Sequence, residues 1–333
     1  MFRFHAYIIR MSMVYILTCF CVLVMCGACS GDSGEAMEYL LMKSGTNDLN
    51  SKVDKIKGLG RLRVLAVGNS YTYDGTAYIQ EIMNETGVND DDYCVYVMTD
   101  AGASLNDWNN CYMNGTVRPM SLVAGRCRMP VSMGTMEDIF AQEWDVIVFQ
   151  QVSTNADDYF SYLPALKKLT DAARRHCTNK QMVFAWHMVH SYANCYEWNF
   201  SKGKERWERI SLAAQCVMAY DGFDLIIPMG TAIQNARETS LNTEHDLTRD
   251  GTHLAFGVGR YVAACVWVQA LFAPAFGFSV IGNTSTHNIW PSEASEEEMY
   301  KYSDSYVPVT DENRELCQQC AYFACLSPYK LRL

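Results

Sequence analysis

Short continuous apolar runs alternate along this chain with stretches in which apolar residues recur every three or four positions. The runs are Arg63–Val67, Tyr93–Met98, Asp145–Phe149, Gln181–Trp186 and Asp224–Ile227, each the length of a buried strand. Helical spacing follows the first run, with Ile79, Ile82 and Met83 on one face. It returns at Tyr159–Cys177, Glu205–Tyr220, Gly230–Arg237 and in a closing segment, Ala255–Phe272. Strand and helix alternating in this order predict an α/β fold: a mostly parallel sheet of five strands covered on both faces. Residues 105–135 have turn signals, a tryptophan and little periodicity, and are expected to form a long functional loop or a small lid. The polar stretch 29–60 reads as a tether carrying a short helix near Met37–Lys43. One domain over 61–275 is expected, with 276–333 a C-terminal extension packed on it.

The first residues follow another pattern. Arg3 and Arg10 precede an apolar run, Met13–Cys26, of signal-peptide length. It ends in Cys26-Gly27-Ala28-Cys29, which resembles the bacterial lipobox. That implies removal of residues 1–28, lipidation of Cys29 and a place on the bacterial cell envelope, held to the membrane by the lipid anchor. Ordinary secretion and a retained anchor helix are the alternatives. A net charge of −10 argues against nucleic acid as a partner. Of 14 cysteines, four lie in or at the end of this leader. The other ten are scattered through a chain large enough to need no staples, and read as packed thiols. Cys317-Gln-Gln-Cys320 lacks the second pair of ligands that zinc requires. One disulfide among Cys317, Cys320 and Cys325 is the most it suggests. No metal and no cofactor are expected.

Candidate chemistry sits at the ends of the apolar runs. The first leads directly into Gly68-Asn69-Ser70 and then a helix. A serine just past a strand's C-terminal end faces the crevice where open α/β sheets bind ligands. Ser70 is then either a nucleophile or the N-cap of that helix. Asp250-Gly-Thr-His253, near the other end of the chain, offers partners. The glycine permits a tight turn, so Asp250 can hold Nδ1 of His253 and leave Nε2 free to take the Ser70 proton. The alternative makes His253 a cap for the closing helix and Asp250 a turn residue, with His245 as runner-up base. Gly102 follows the second run, and Gln150 and Gln151 follow the third; a backbone N–H or a side-chain amide there can stabilise an oxyanion. Asn69, Trp108, His187, His190 and Tyr192 are the candidate lining of a substrate pocket.

The stretches VLAVGNSYTYD, DAGASLNDW, WDVIVFQQVS, PMGTAIQNAR and DGTHLAFGVGRY have the block order of the GDSL/SGNH hydrolases, which this chain resembles over about residues 61–272. Within that superfamily the closest likeness is to an uncharacterised bacterial domain family. The resemblance implies a flavodoxin-like three-layer sandwich (the SGNH hydrolase fold). It also implies Ser70 as nucleophile, His253 as base, Asp250 as its orienter, and the N–H groups of Ser70 and Gly102 in an oxyanion hole. Two blocks differ: GNS stands for Gly-Asp-Ser, and QQVS replaces GxND, so the third oxyanion donor is either Gln150 or Gln151. The expected function is ester hydrolysis through an acyl-serine, on an acylated glycan or another small ester. The alternatives are a lipase or thioesterase, and a non-catalytic carbohydrate-binding or scaffold protein.

Overall fold

The computed structural model describes residues 33–44, 49–197, 200–287 and 294–332. The leader and Cys29 fall outside the described residues. Six strands form one sheet: β1 (Leu62–Gly68), β2 (Tyr93–Thr99), β3 (Ser121–Gly125), β4 (Val146–Phe149), β5 (Val183–His187) and β6 (Leu225–Ile227). Their order is β3-β2-β1-β4-β5-β6. All neighbours are parallel except β3, which runs antiparallel along the edge of β2. Every residue of β4, β5 and β6 is buried, as expected where helices cover both faces.

The sheet has one strand more than the sequence pattern predicts. Residues 105–135 are structured rather than a loop or lid. They hold a helix (Leu105–Met113) opened by a reciprocal Ser104–Asp107 cap, a two-residue ladder between Arg118–Pro119 and Met133–Gly134, and β3. Only Ala124 of β3 is buried, so the edge strand carries no continuous apolar run to reveal it.

The helices are named α1 (Ser33–Ser44), α2 (Ser70–Thr76), α3 (Ile79–Asn84), α4 (Leu105–Met113), α5 (Ala165–His176), α6 (Gly203–Tyr220), α7 (Met229–Arg237), α8 (Val258–Trp267) and α9 (Arg314–Leu326). The stretch read as a tether is packed on the fold where it is described. Met37 of α1 is buried against α6, and Lys52 N–H donates to Asp224 O at 2.7 Å. From α8 the chain continues helically through Phe276, in an apolar segment long enough to cross a membrane. Its most apolar window is 89% buried inside the fold, as a core helix is.

Helix α9 lies against α7 and α8. Cys317 and Cys320 are buried on it as free thiols, and Cys325 is free as well, so no disulfide joins them. Burial pushes the Cys320 thiol up to about 12. That keeps it neutral and poorly reactive.

The first β–α turn is unusually close. A Cβ on Gly68 would stand 2.1 Å from Thr72 Oγ1 and 2.9 Å from Gln150 Cγ, so α2 is seated directly on the end of β1. Gly68→Ala must displace the Thr72 and Gln150 side chains, and should lower stability by about 1–3 kcal/mol. Urea denaturation checks this: a lower midpoint at unchanged slope is the expected result.

Candidate active site

Asn69 leaves β1 in an extended conformation and caps α2, its Oδ1 accepting from Tyr71 N–H at 3.0 Å. The cap is thus Asn69, and Ser70 is the first residue of the helix. With its backbone duties met by its neighbour, the Ser70 side chain is free to face outward from the strand end. Asn69 uses its other end too: Nδ2 donates to Ala103 O at 3.0 Å, drawing the turn after β2 toward Ser70. Gly102 lies in that turn at φ +66°, a conformation that favours glycine.

The second half of the site is the turn before α8. Gly251 takes φ +84°, and the chain folds so that Asp250 Oδ1 accepts from Thr252 N–H at 2.9 Å and His253 N–H at 2.7 Å. Asp250 Oδ2 lies 2.7 Å from His253 Nδ1, and His253 Nε2 lies 2.9 Å from Ser70 Oγ. The three side chains therefore form one hydrogen-bonded line, at the edge of solvent: His253 and Asp250 are each 30% exposed. Burial raises the Asp250 carboxyl, but its bond to His253, the imidazole's proximity and two backbone N–H groups outweigh that and hold it well below the usual carboxylate range. The runner-up, His245, makes no contact with Ser70 in the described structure; it lines a cavity with Asp250.

The two glutamines are committed differently. Gln151 Oε1 accepts from Leu105 N–H at 3.1 Å and from Val152 N–H at 2.9 Å, and its Nε2 reaches Ser161. Gln151 thus ties α4 to the end of β4. Gln150 Oε1 accepts from the Thr72 hydroxyl at 3.0 Å, while its buried Nε2 has no hydrogen-bond partner among the described residues. Of the pair, only Gln150 holds a spare buried donor.

The candidate pocket residues are placed otherwise than expected. Asn69, Trp108, His187, His190 and Tyr192 are all at most 2% exposed, so none of them lines an open pocket. Trp108 Nε1 donates to Gly68 O at 3.1 Å. His190 Nε2 donates to Thr252 O at 2.7 Å and its ring stacks on Tyr71, centroids 4.4 Å apart. Burial, with Arg237 nearby, pulls His190 down to about 3, and burial does the same to His187, so both rings are neutral. His187 Nε2 meets only the Met229 sulfur, at 3.3 Å, so of the two rings it is His190 that holds the turn. Among the described residues, an open cavity of about 300 Å³ lies against Asp250, lined by Cys195, Tyr196, Glu197, His245, Arg249 and Gly251. Among the described residues no group of His, Cys, Asp and Glu is placed to hold a metal.

Residues the sequence pattern did not flag complete the surroundings. Asp74, fully buried on α2, meets Arg249 and Arg260. Burial alone would raise its carboxyl; Arg260 and then Arg249 reverse the sign and leave it lowered. Arg237 on α7 donates to the Ser191 hydroxyl at 2.7 Å and to Asp246 O at 3.0 Å, joining the loop after β5 to the loop before the turn. Charged residues inside apolar helices (Arg260 in VGRYVAACVW above all) were the available signal.

The family model described as "Domain of unknown function (DUF4886)" matches residues 63–285, more than half of the chain. A crystal structure of a DUF4886 family protein from Bacteroides uniformis is similar, with a TM-score of 0.63 and 26% identity over 82% of this chain and 97% of that one. A protein from Slackia heliotrinireducens, provisionally described as an SGNH hydrolase, aligns at 17% identity and a TM-score of 0.44 over 63% of this chain and 99% of that one. An acetyl xylan esterase aligns at 14% and 0.41 over 62% and 98%. A search of curated proteins found no match.

The Asn69 bridge explains GNS where the resemblance suggests Gly-Asp-Ser: a carboxylate could cap Tyr71 but would set an oxygen against Ala103 O. Asn69→Asp should cost about 1–3 kcal/mol, since it breaks a buried bond and leaves the carbonyl unpaired. Asn69→Ser keeps the capping oxygen without that repulsion and should cost less. Thermal unfolding of the two variants beside the parent checks the order.

Proposed function

The chain belongs to the DUF4886 family, and we propose that its Ser70–His253–Asp250 line makes it a serine ester hydrolase acting through an acyl-enzyme. The observation that carries this reading is the 2.9 Å separation of His253 Nε2 and Ser70 Oγ, with Asp250 2.7 Å behind the ring. A non-catalytic scaffold would not need these groups in reach of one another, and the contact weighs against it.

In the proposed reaction Ser70 Oγ attacks the ester carbonyl as its proton passes to His253 Nε2. Asp250 keeps the proton on Nδ1 and stabilises the imidazolium without taking a proton itself. The carbonyl oxygen becomes an oxyanion, for which the N–H groups of Ser70 and Gly102 are the proposed donors. Gln150, whose Nε2 has no partner among the described residues, is the better third donor than Gln151, whose bonds hold α4. His253 then returns the proton to the leaving alcohol, and the acyl group stays on Ser70. Water, deprotonated by the same imidazole, releases the acid and restores the serine.

For the substrate we propose an acetylated glycan outside the cytoplasm, with the lipobox-like Gly27-Ala28-Cys29 supporting an anchored envelope protein. The cavity beside Asp250 supports a sugar-sized alcohol portion, offering the Tyr196 ring as a stacking surface with Glu197 and His245 as polar partners.

Two outcomes test the reading. The full-length chain should hydrolyse p-nitrophenyl acetate, and Ser70→Ala, still folded, should lose about 10⁴-fold or more of kcat; equal rates in both would remove Ser70 as nucleophile. The pH dependence follows from Asp250. A carboxyl lowered in the folded protein keeps its charge below the ordinary carboxylate range, so Asp250 stays ionised throughout the acid limb. The acid limb of log kcat/KM should therefore rise with the slope of a single proton. A two-proton slope would show Asp250 titrating together with the base.

A further inference from the structure

Asp74 stands four residues after Ser70, one turn along the same short helix, with its side chain wholly buried. A carboxylate in that position is costly unless cations and donors reach it. Five contacts do. Arg249 Nη1 donates to Oδ1 and Oδ2, each at 3.1 Å. Leu254 N–H donates to Oδ2 at 2.9 Å. Arg260 donates to Oδ1 from Nε at 3.0 Å and from Nη2 at 2.9 Å.

The first two partners are the residue immediately before Asp250 and the residue immediately after His253. They are also tied to each other's side of the turn: Arg249 N–H donates to His253 O at 2.9 Å, and the Arg249 guanidinium donates to Leu254 O. The turn that carries acid and base is thus closed at its neck, and the neck is bolted to the helix that carries the serine. Arg260 comes from α8, outside the turn, and serves to neutralise the carboxylate.

We propose that Asp74 is a positioning residue which sets the His253–Ser70 separation by clamping Arg249 and Leu254 to α2. This rests on the reading of Ser70 as nucleophile only for its effect on rate; the geometric claim stands apart from it. A bland alternative, a buried ion-pair network that merely stabilises the core, makes Asp74 and Arg260 equivalent. The clamp makes them unequal, because only Asp74 holds both sides of the turn.

The test compares Asp74→Asn, Arg260→Met and Ser70→Ala in the full-length chain, by crystal structure and by p-nitrophenyl acetate kinetics below each variant's Tm. For Asp74→Asn the His253 Nε2 to Ser70 Oγ distance should lengthen past about 3.5 Å, the limit of a hydrogen bond. Its kcat should fall about 10²-fold with KM within about twofold, as a displaced catalytic group requires. Arg260→Met should lose Tm yet keep kcat within about threefold, its turn still pinned from both sides. A 2.9 Å contact and parent kcat in Asp74→Asn would overturn the proposal. Equal loss of kcat in Asp74→Asn and Arg260→Met would overturn it too. Should Ser70→Ala prove as active as the parent, the nucleophile assignment fails while the crystal distance still decides the clamp. If Asp74→Asn does not fold, Arg249→Met releases one side of the turn and is read by the same two measurements.

Discussion

A hydrogen bond tolerates only a few tenths of an ångström and a modest range of angle before it is lost. Ser70 and His253 make one across 183 residues of sequence. Every feature near the C-terminal ends of β1, β2 and β4 can be read as a response to that demand. The parallel sheet brings the strand ends to one edge. Gly68 lets α2 sit close on β1, and Asn69 laces the turn after β2 to the start of α2. On the other side His190 holds Thr252, Arg237 holds the approach to the turn, and the Asp74 cluster holds its neck.

These supports share a physical character. Each is a polar or charged group placed where water does not reach, so each must find partners inside the protein, and finding them fixes geometry in a way apolar contacts alone do not. The neutral His190, the doubly used Asn69 amide and the paired arginines on Asp74 all belong to this class. Gln150 differs, holding a donor that no described residue uses. An unpaired buried donor is worth more to a transition state that develops charge than to the resting protein, which is why the proposed mechanism assigns Gln150 to the oxyanion.

Much of this is legible in the sequence. The buried strands β1, β2, β4, β5 and β6 declare themselves as apolar runs because both of their faces are covered. So do the serine after the first of them and the Asp-Gly-Thr-His turn, since a strand end and a tight turn are local in sequence. The edge strand β3 was hidden because most of its residues meet solvent. The supporting shell was hidden for a different reason: burial of a polar side chain depends on partners far along the chain. Asn69, Trp108, His187, His190 and Tyr192 therefore read as pocket residues, and nothing local marks the partners of Asp74, Arg249 or Arg260. The choice between Gln150 and Gln151 likewise turns on which of them a distant helix uses.

The central claim is that Ser70 is a nucleophile made reactive by its folded surroundings. The most direct measurement is mass spectrometry of the full-length chain after exposure to a fluorophosphonate, with peptide mapping, in native and in denatured protein. A single adduct on the Ser70 peptide, formed only in the native state, is the predicted result. No adduct, or an adduct at another residue, would contradict the account.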